Sequence, residues 1–267
     1  MKTLTAFALV AVVNLGLGAG TALAQDDQPK TGKIGNVERE AREARRDGGH
    51  HGDDDDGGGG AFAFLHVVFG YPREPGQGYE PYPYRHADQP FVHDSVLTGR
   101  RFWTVSGQYF ADDESTLRGG QFAFEGANGL FTYGIETTQF IERLAGETDR
   151  LFTARVMVGV LPPLGRIGFV RVGLAARGLV TDQGDAAGGP ELELGVQLFP
   201  RRPFGLDATG RGAFMSWDHN SYFFMSDLQL GGSVFLGPLE MRAGYRRMQV
   251  GSATAFNGPT LGLRVWF

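Results

Sequence analysis

From Phe102 to the C-terminus, apolar and polar residues alternate in short runs separated by turn-forming residues. Side chains alternate across an extended chain with a period of two, so such runs read as strands with one apolar and one mixed face. Leu192, Leu194, Val196 and Leu198 stand against Glu191, Glu193, Gly195 and Gln197. Phe152, Ala154, Val156, Val158 and Val160 oppose Thr153, Arg155, Met157 and Gly159, and Val170, Val172, Leu174 and Ala176 oppose Arg171, Gly173, Ala175 and Arg177. Leu239, Met241, Ala243 and Tyr245 oppose Glu240, Arg242, Gly244 and Arg246. The pattern predicts ten strands, at 102–111, 117–126, 130–141, 151–161, 167–178, 191–199, 204–215, 222–236, 239–250 and 258–267.

The breaks between them differ in kind. Ala127 to Gly129, Pro162 to Gly165, Pro200 to Pro203 and Gly237-Pro238 carry the residues that tight turns require. Asp112 to Glu114, Glu142 to Asp149, Thr181 to Gly189, Trp217 to Ser221 and Gly251 to Asn257 are polar and read as longer loops. Short turns on one side, longer loops on the other and an even strand number define an up-and-down antiparallel barrel with both ends on the short-turn side. A soluble β-sandwich or lipocalin-like barrel would show the same alternation with its faces reversed.

The end of the chain bears on that choice. In Leu261-Gly262-Leu263-Arg264-Val265-Trp266-Phe267 the odd-numbered residues are apolar and the run finishes on Phe. It resembles the closing strand of bacterial outer-membrane β-barrels, whose terminal Phe is read by the insertion machinery. The resemblance implies an all-β transmembrane barrel, with Leu263, Val265 and Phe267 as the assembly signal, the barrel-assembly machinery as a partner, and outer-membrane lipid and lipopolysaccharide around the wall. The N-terminus agrees with export. Lys2, the apolar run beginning Ala6 to Val13, and Ala22-Leu23-Ala24 before Gln25 have the form of a cleaved signal peptide over 1–24. After Ala24 no run of about 20 apolar residues occurs, so a membrane-spanning body would have to be a closed barrel. Trp103, Tyr109, Tyr133, Phe204, Phe214, Tyr222 and Tyr245 lie near strand ends, where interfacial girdles form.

Between signal and barrel, residues 25–60 read as a disordered, charged and glycine-rich periplasmic arm. Asn36 to Arg46 has the composition of a short charged helix with almost no apolar face to pack. His50, His51 and Asp53 to Asp56 have metal-ligating chemistry, but four adjacent carboxylates among glycines make a poorly organised cage, so the tract is expected to be a solvated linker with no metal or other cofactor. Residues 61–101 form a Tyr/Pro-rich pre-barrel segment that plugs the barrel, packs at its periplasmic mouth, or supplies an extra pair of strands with Phe91 to Leu97, which would raise the count to twelve.

Composition narrows the remainder. Gly is abundant, at 42 of 267 residues, Phe numbers 21 and Cys is absent, which excludes a disulfide framework and a thiol nucleophile. A net charge of −5 argues against nucleic acid as a partner. The polar faces place Glu125, Glu136, Glu191, Glu193, Asp207, Asp227 and Glu240 with Arg155, Arg171, Arg177, Arg211, Arg242, Arg246 and Arg264 in one lumen. Balanced arginine–carboxylate charges are expected to brace a narrow, monomeric barrel, since wide pores need roughly sixteen to eighteen strands. The reading is therefore a structural or interaction protein of the envelope; the alternative is a narrow pore or small-solute transporter. A surface hydrolase is a third reading. Asp112-Asp113 and Asp218-His219 resemble in part the paired acids and Asp–His dyad of omptin-type proteases, and lipid-modifying barrels use a His at the rim, but the spacing departs from the protease pattern and no catalytic residue is assigned.

Overall fold

The computed structural model describes residues 32–47, 83–84, 101–113, 116–144, 147–164, 167–218, 221–252 and 255–267. The expected signal peptide, the tract at 50–56, His219 and nearly all of 61–100 lie outside these residues. Among these residues a helix, α1 (Lys33–Asp47), precedes the strands β1 (Arg101–Ala111), β2 (Leu117–Asn128), β3 (Phe131–Leu144), β4 (Glu147–Val160), β5 (Pro163–Leu164), β6 (Gly168–Thr181), β7 (Ala186–Arg201), β8 (Phe204–Asp218), β9 (Ser221–Leu236), β10 (Leu239–Val250) and β11 (Phe256–Trp266).

Each long strand pairs antiparallel with the next, β4 passing directly to β6, and β1 pairs with β11 in the register Gly107↔Leu263. The result is a closed ring of ten strands, not twelve, with the two-residue β5 appended to the start of β6. Closure leaves no strand edge unpaired. The seam runs to the last residue: the Phe267 N–H donates to the Trp103 carbonyl at 2.8 Å, and the Trp103 N–H donates to the Phe267 carbonyl at 3.0 Å. Tight turns at 129–130 and 237–238 each carry a glycine in the left-handed region, Gly129 at φ 63° and Gly237 at φ 63°.

The wall is apolar outside and charged inside. Leu192 and Leu194 are 50% and 54% exposed, whereas their neighbours Glu191 and Glu193 are 3% and 0% exposed. That is the reverse of a soluble barrel and the arrangement of a barrel standing in lipid. Aromatics bound this outer belt. Phe131, Phe204 and Phe267 are exposed near the tight turns; Tyr109, Phe214, Tyr222 and Tyr245 are exposed near the other end. Trp103 packs on Phe124 and Tyr133, both at 5.3 Å, and a side chain at Gly126 would strike both the Trp103 and Tyr133 rings. From Phe204 to Phe214 the strand covers roughly 33 Å at ~3.3 Å per residue, which a tilt of about 40° projects to about 25 Å, the height of a bilayer-spanning apolar band.

Two expectations are corrected. Of the polar stretches read as longer loops, Glu142 to Asp149 and much of Thr181 to Gly189 and Trp217 to Ser221 are strand, whereas Asp112-Asp113 and Gly251-Ser252 lie outside the strands as expected. Glu142 pairs with Asp149, Arg143 with Thr148 and Leu144 with Glu147, and β7 begins at Ala186, where a loop to Gly189 was expected. Strand pairing continues beyond the apolar belt, where lipid no longer demands apolar residues, so polarity there marks height along the barrel and not the end of the ladder. The second correction concerns the arm. The helix is present, but it is seated inside one end of the barrel. Its Ile34, Val37, Glu38 and Ala41 fall at i, i+3, i+4 and i+7 and are buried. A reading that starts at Asn36 misses Ile34 and so breaks the apolar stripe. The helix also lies at the end opposite the tight turns, whereas the arm was expected on the short-turn, periplasmic side.

Candidate functional site

Three layers fill the barrel interior. At the end bearing the tight turns, Phe102, Leu161, Phe169, Phe199, Phe235 and Trp266 form an aromatic floor. Tyr84 packs into it, 5.2 Å from the Phe235 ring, and its hydroxyl donates to the Phe204 carbonyl. Of the alternatives for the Tyr/Pro segment, packing at this mouth is where its described part is found. Burial first, and then the nearby Glu240 carboxylate, push the Tyr84 phenol up to about 12, so it stays a hydrogen-bond donor.

At the opposite end α1 forms a cap. Ile34, Val37 and Ala41 pack among Phe110, Leu117, Phe140, Leu151, Leu179 and Met215. Polar contacts ring this apolar contact. The Glu142 carboxylate accepts from the Lys33 and Ile34 backbone N–H groups at 2.8 and 2.7 Å, so a barrel residue caps the helix N-terminus. Lys33 pairs with Asp112 at 2.7 Å, Gln183 donates to Glu38 at 2.9 Å and accepts from Arg42, and Glu40 accepts from the Ser252 N–H at 3.3 Å.

Between floor and cap lies the charged layer, and all fourteen charged residues expected in the lumen stand in it. They divide into two sets. Arg155, Arg171, Arg177, Arg211 and Arg246 interlock with Glu125, Glu136, Glu191, Glu193 and Asp227. Arg242 and Arg264 interlock with Asp207 and Glu240. Each set is electrically neutral. Glu193 is central to the larger set, 2.5 Å from Arg155, 3.0 Å from Arg211 and 3.3 Å from Arg171. Asp227 receives two hydrogen bonds from Arg246, at 2.9 and 2.7 Å, and one from Arg211 at 3.3 Å. Arg171 holds Glu125 bidentately with two 3.0 Å bonds. Planar guanidinium groups suit such bridging because each presents a fork of donors. Buried in this way, the charges must be satisfied by one another, since removing one partner of such a pair typically costs ~3–5 kcal/mol.

Several members of the layer escaped the sequence reading. Gln229 donates to Gln108 at 2.8 Å, Arg246 donates to Gln121 at 2.7 Å, and the Trp266 indole donates to Glu240 at 2.8 Å. Gln108, Gln121 and Trp266 occupy inward positions by the same alternation that placed the charges, so extending the count from charged to all polar inward residues would have found them. Arg246 also lies 5.7 Å over the Phe140 ring and joins the charges to the cap. Between the smaller set and the floor, Arg171, Gln197, Asp207, Arg242, Arg264 and Phe169 line a cavity of about 30 Å³, room for about one water.

The remaining sequence candidates take other positions. Leu263, Val265 and Phe267 face outward on β11, with Leu263 and Phe267 exposed. Asp112 is buried, its carboxylate shared between the Lys33 ammonium and the Asn257 N–H at 3.1 Å. Asp113 accepts from the Tyr245 hydroxyl at 2.7 Å.

The architecture is that of a small β-barrel of the outer-membrane type. No family model matches the chain, and neither does any curated protein sequence. Among solved structures the chain is similar to the translocator domain of autotransporter NalP from Neisseria meningitidis. The identity is 12% and the TM-score 0.34, over 62% of this chain and 88% of that domain. The assignment to this class rests on the ring closure, the outward apolar belt and the inward charges.

Proposed function

We propose that the protein is a bacterial outer-membrane barrel with a sealed lumen that serves the envelope as a structural or interaction element, not as a conduit. The observation that carries this reading is the filled interior: an aromatic floor, two neutral arginine–carboxylate sets and a helix-seated cap succeed one another along the axis. A conduit needs a hydrated path, and here the charged side chains of the lumen are ion-paired with one another. The apolar belt takes outer-membrane lipid, Leu263, Val265 and Phe267 serve the assembly machinery, and the end holding α1 faces outward, because the tight turns and the C-terminus share the other end. Catalysis is disfavoured by the use of Asp112 as a docking group for Lys33.

Planar-bilayer recording on the refolded full-length chain tests the proposal. The expected result is bilayer insertion without unitary conductance steps. Large, stable steps would replace the sealed reading with the narrow-pore one. Heat-modifiable migration on SDS gels checks the barrel itself, because a folded barrel resists SDS until boiled. A chain that fractionates as soluble and shows no shift would remove the membrane reading altogether.

A further inference from the structure

The outer wall carries a basic cluster that the lumen does not use. Across β1 to β4, Tyr109, Gly120, Gln139 and Phe152 stand side by side and face outward. This row contains the girdle residue Tyr109 and so marks the edge of the apolar belt. One outward-facing step further from the belt, Ala111, Arg118, Ile141 and Arg150 form the next row. One step beyond that, Arg143 pairs with Thr148. Arg118, Arg143 and Arg150 are all exposed, and none of their side chains makes an ion pair or hydrogen bond with a described residue. Two described carboxylates border the cluster: Asp113, on the β1 side of the last row, accepts from Tyr245, and Asp182 follows the Leu151↔Thr181 pair beside Arg150, but neither forms an ion pair with the three arginines.

Strand geometry sets the spacing of the three. Arg118 and Arg150 are two strands apart at the same height, about 10 Å at ~4.8 Å per strand. Arg143 lies diagonally from both, at roughly 7–8 Å. Guanidinium groups on long, unpaired side chains at those separations can close on one phosphate or bridge two. Their height is also specific: one step above an aromatic girdle is the headgroup level of a bilayer.

We infer that Arg118, Arg143 and Arg150 form a binding site for the phosphate groups of a membrane lipid, and that the ligand is a bisphosphorylated lipid of the leaflet at the α1 end. The inference rests on the outer-membrane reading above and adds to it a defined lipid site on one sector of the wall. The phosphates complement three guanidinium groups that pair with no described residue, and the acyl chains would lie along the outward faces of β2 and β4 beneath, at Phe122, Phe124, Ala154 and Val156. Arg–phosphate pairing is bidentate and charge-assisted, which distinguishes it from diffuse attraction to a charged surface.

Native mass spectrometry of the folded full-length chain in a neutral detergent tests this, with bisphosphorylated lipid A and its dephosphorylated form as probes. The phosphorylated lipid should be retained at least about tenfold more strongly, and R118Q/R143Q/R150Q should abolish most of that preference. R201Q/R202Q, which removes exposed arginines at the opposite end, should leave it intact. Equal retention by the triple variant, or equal loss with R201Q/R202Q, would overturn the site. Displacement of the lipid by an equal concentration of inorganic phosphate would also overturn it, as that marks a free-phosphate site. Heat-modifiable migration separates the two levels of the argument. A wild-type chain that shifts on boiling but does not retain the lipid loses only this inference. One that never shifts loses the membrane reading as well.

Discussion

The two ends of the barrel are closed by different means. The floor is made chiefly by the strands themselves: Phe102, Phe169, Phe199, Phe235 and Trp266 are inward residues of β1, β6, β7, β9 and β11, with Tyr84 as an addition. The cap depends on an element outside the ring, since α1 supplies Ile34, Val37 and Ala41 to the apolar cluster and is tied to the rim by ion pairs and hydrogen bonds. Aromatic side chains inserted from the wall cannot leave without unfolding the wall. A helix resting on side chains can leave as a unit. The floor should therefore share the stability of the barrel, while the cap should open at a lower free energy of its own.

Trp266→Ala gives the largest expected effect. It removes a buried ring that packs 4.9 Å from Phe102 and leaves the Glu240 carboxylate without its indole donor. The loss should be ~3–5 kcal/mol of global stability, read as a lower urea midpoint for barrel unfolding in detergent. Val37→Asp comes next. An unpaired carboxylate in the apolar contact should release α1 with the barrel still folded. Because the native chain has no cysteine, Ala41→Cys provides a single labelling site. Its reaction with a membrane-impermeant maleimide should accelerate by roughly a hundredfold in the Val37→Asp background, the consequence of local opening made easier by several kcal/mol, and should be unchanged by Trp266→Ala. The smallest effect belongs to Glu142→Gln, which removes the charge that caps α1. A loss of about 1 kcal/mol should raise the labelling rate about fivefold. If Val37→Asp lowers the barrel midpoint as far as Trp266→Ala does, the distinction between floor and cap fails.

The same contrast separates what the sequence made legible from what it did not. The charged layer could be read because alternation along a strand assigns every residue to a face once one residue is placed, so Glu191 and Glu193 follow from Leu192 and Leu194. The strand count followed from the turns for a similar reason. The extra length of β3, β4 and β7 did not follow, because above the belt the outer face faces water and the alternation loses its contrast, as at Arg143 and Thr148. The seating of α1 was less accessible still. Its apolar stripe is only Ile34, Val37 and Ala41, and its capping carboxylate, Glu142, stands more than a hundred residues away in the chain. Pairing at that distance leaves no periodic trace in either segment.

The neutrality of each charged set has a consequence for how this protein can change over generations. A single substitution that removes Asp227 takes from Arg246 the carboxylate it pairs with in a sealed interior, while one that removes Arg242 strands Asp207. Drift in the lumen should thus proceed by coupled exchanges, acid with base or charged pair with apolar pair, and positions such as 207 and 242 should vary together among descendants of this chain. The outer belt, where one aliphatic residue serves lipid as well as another, carries no such bookkeeping and is free to vary one residue at a time.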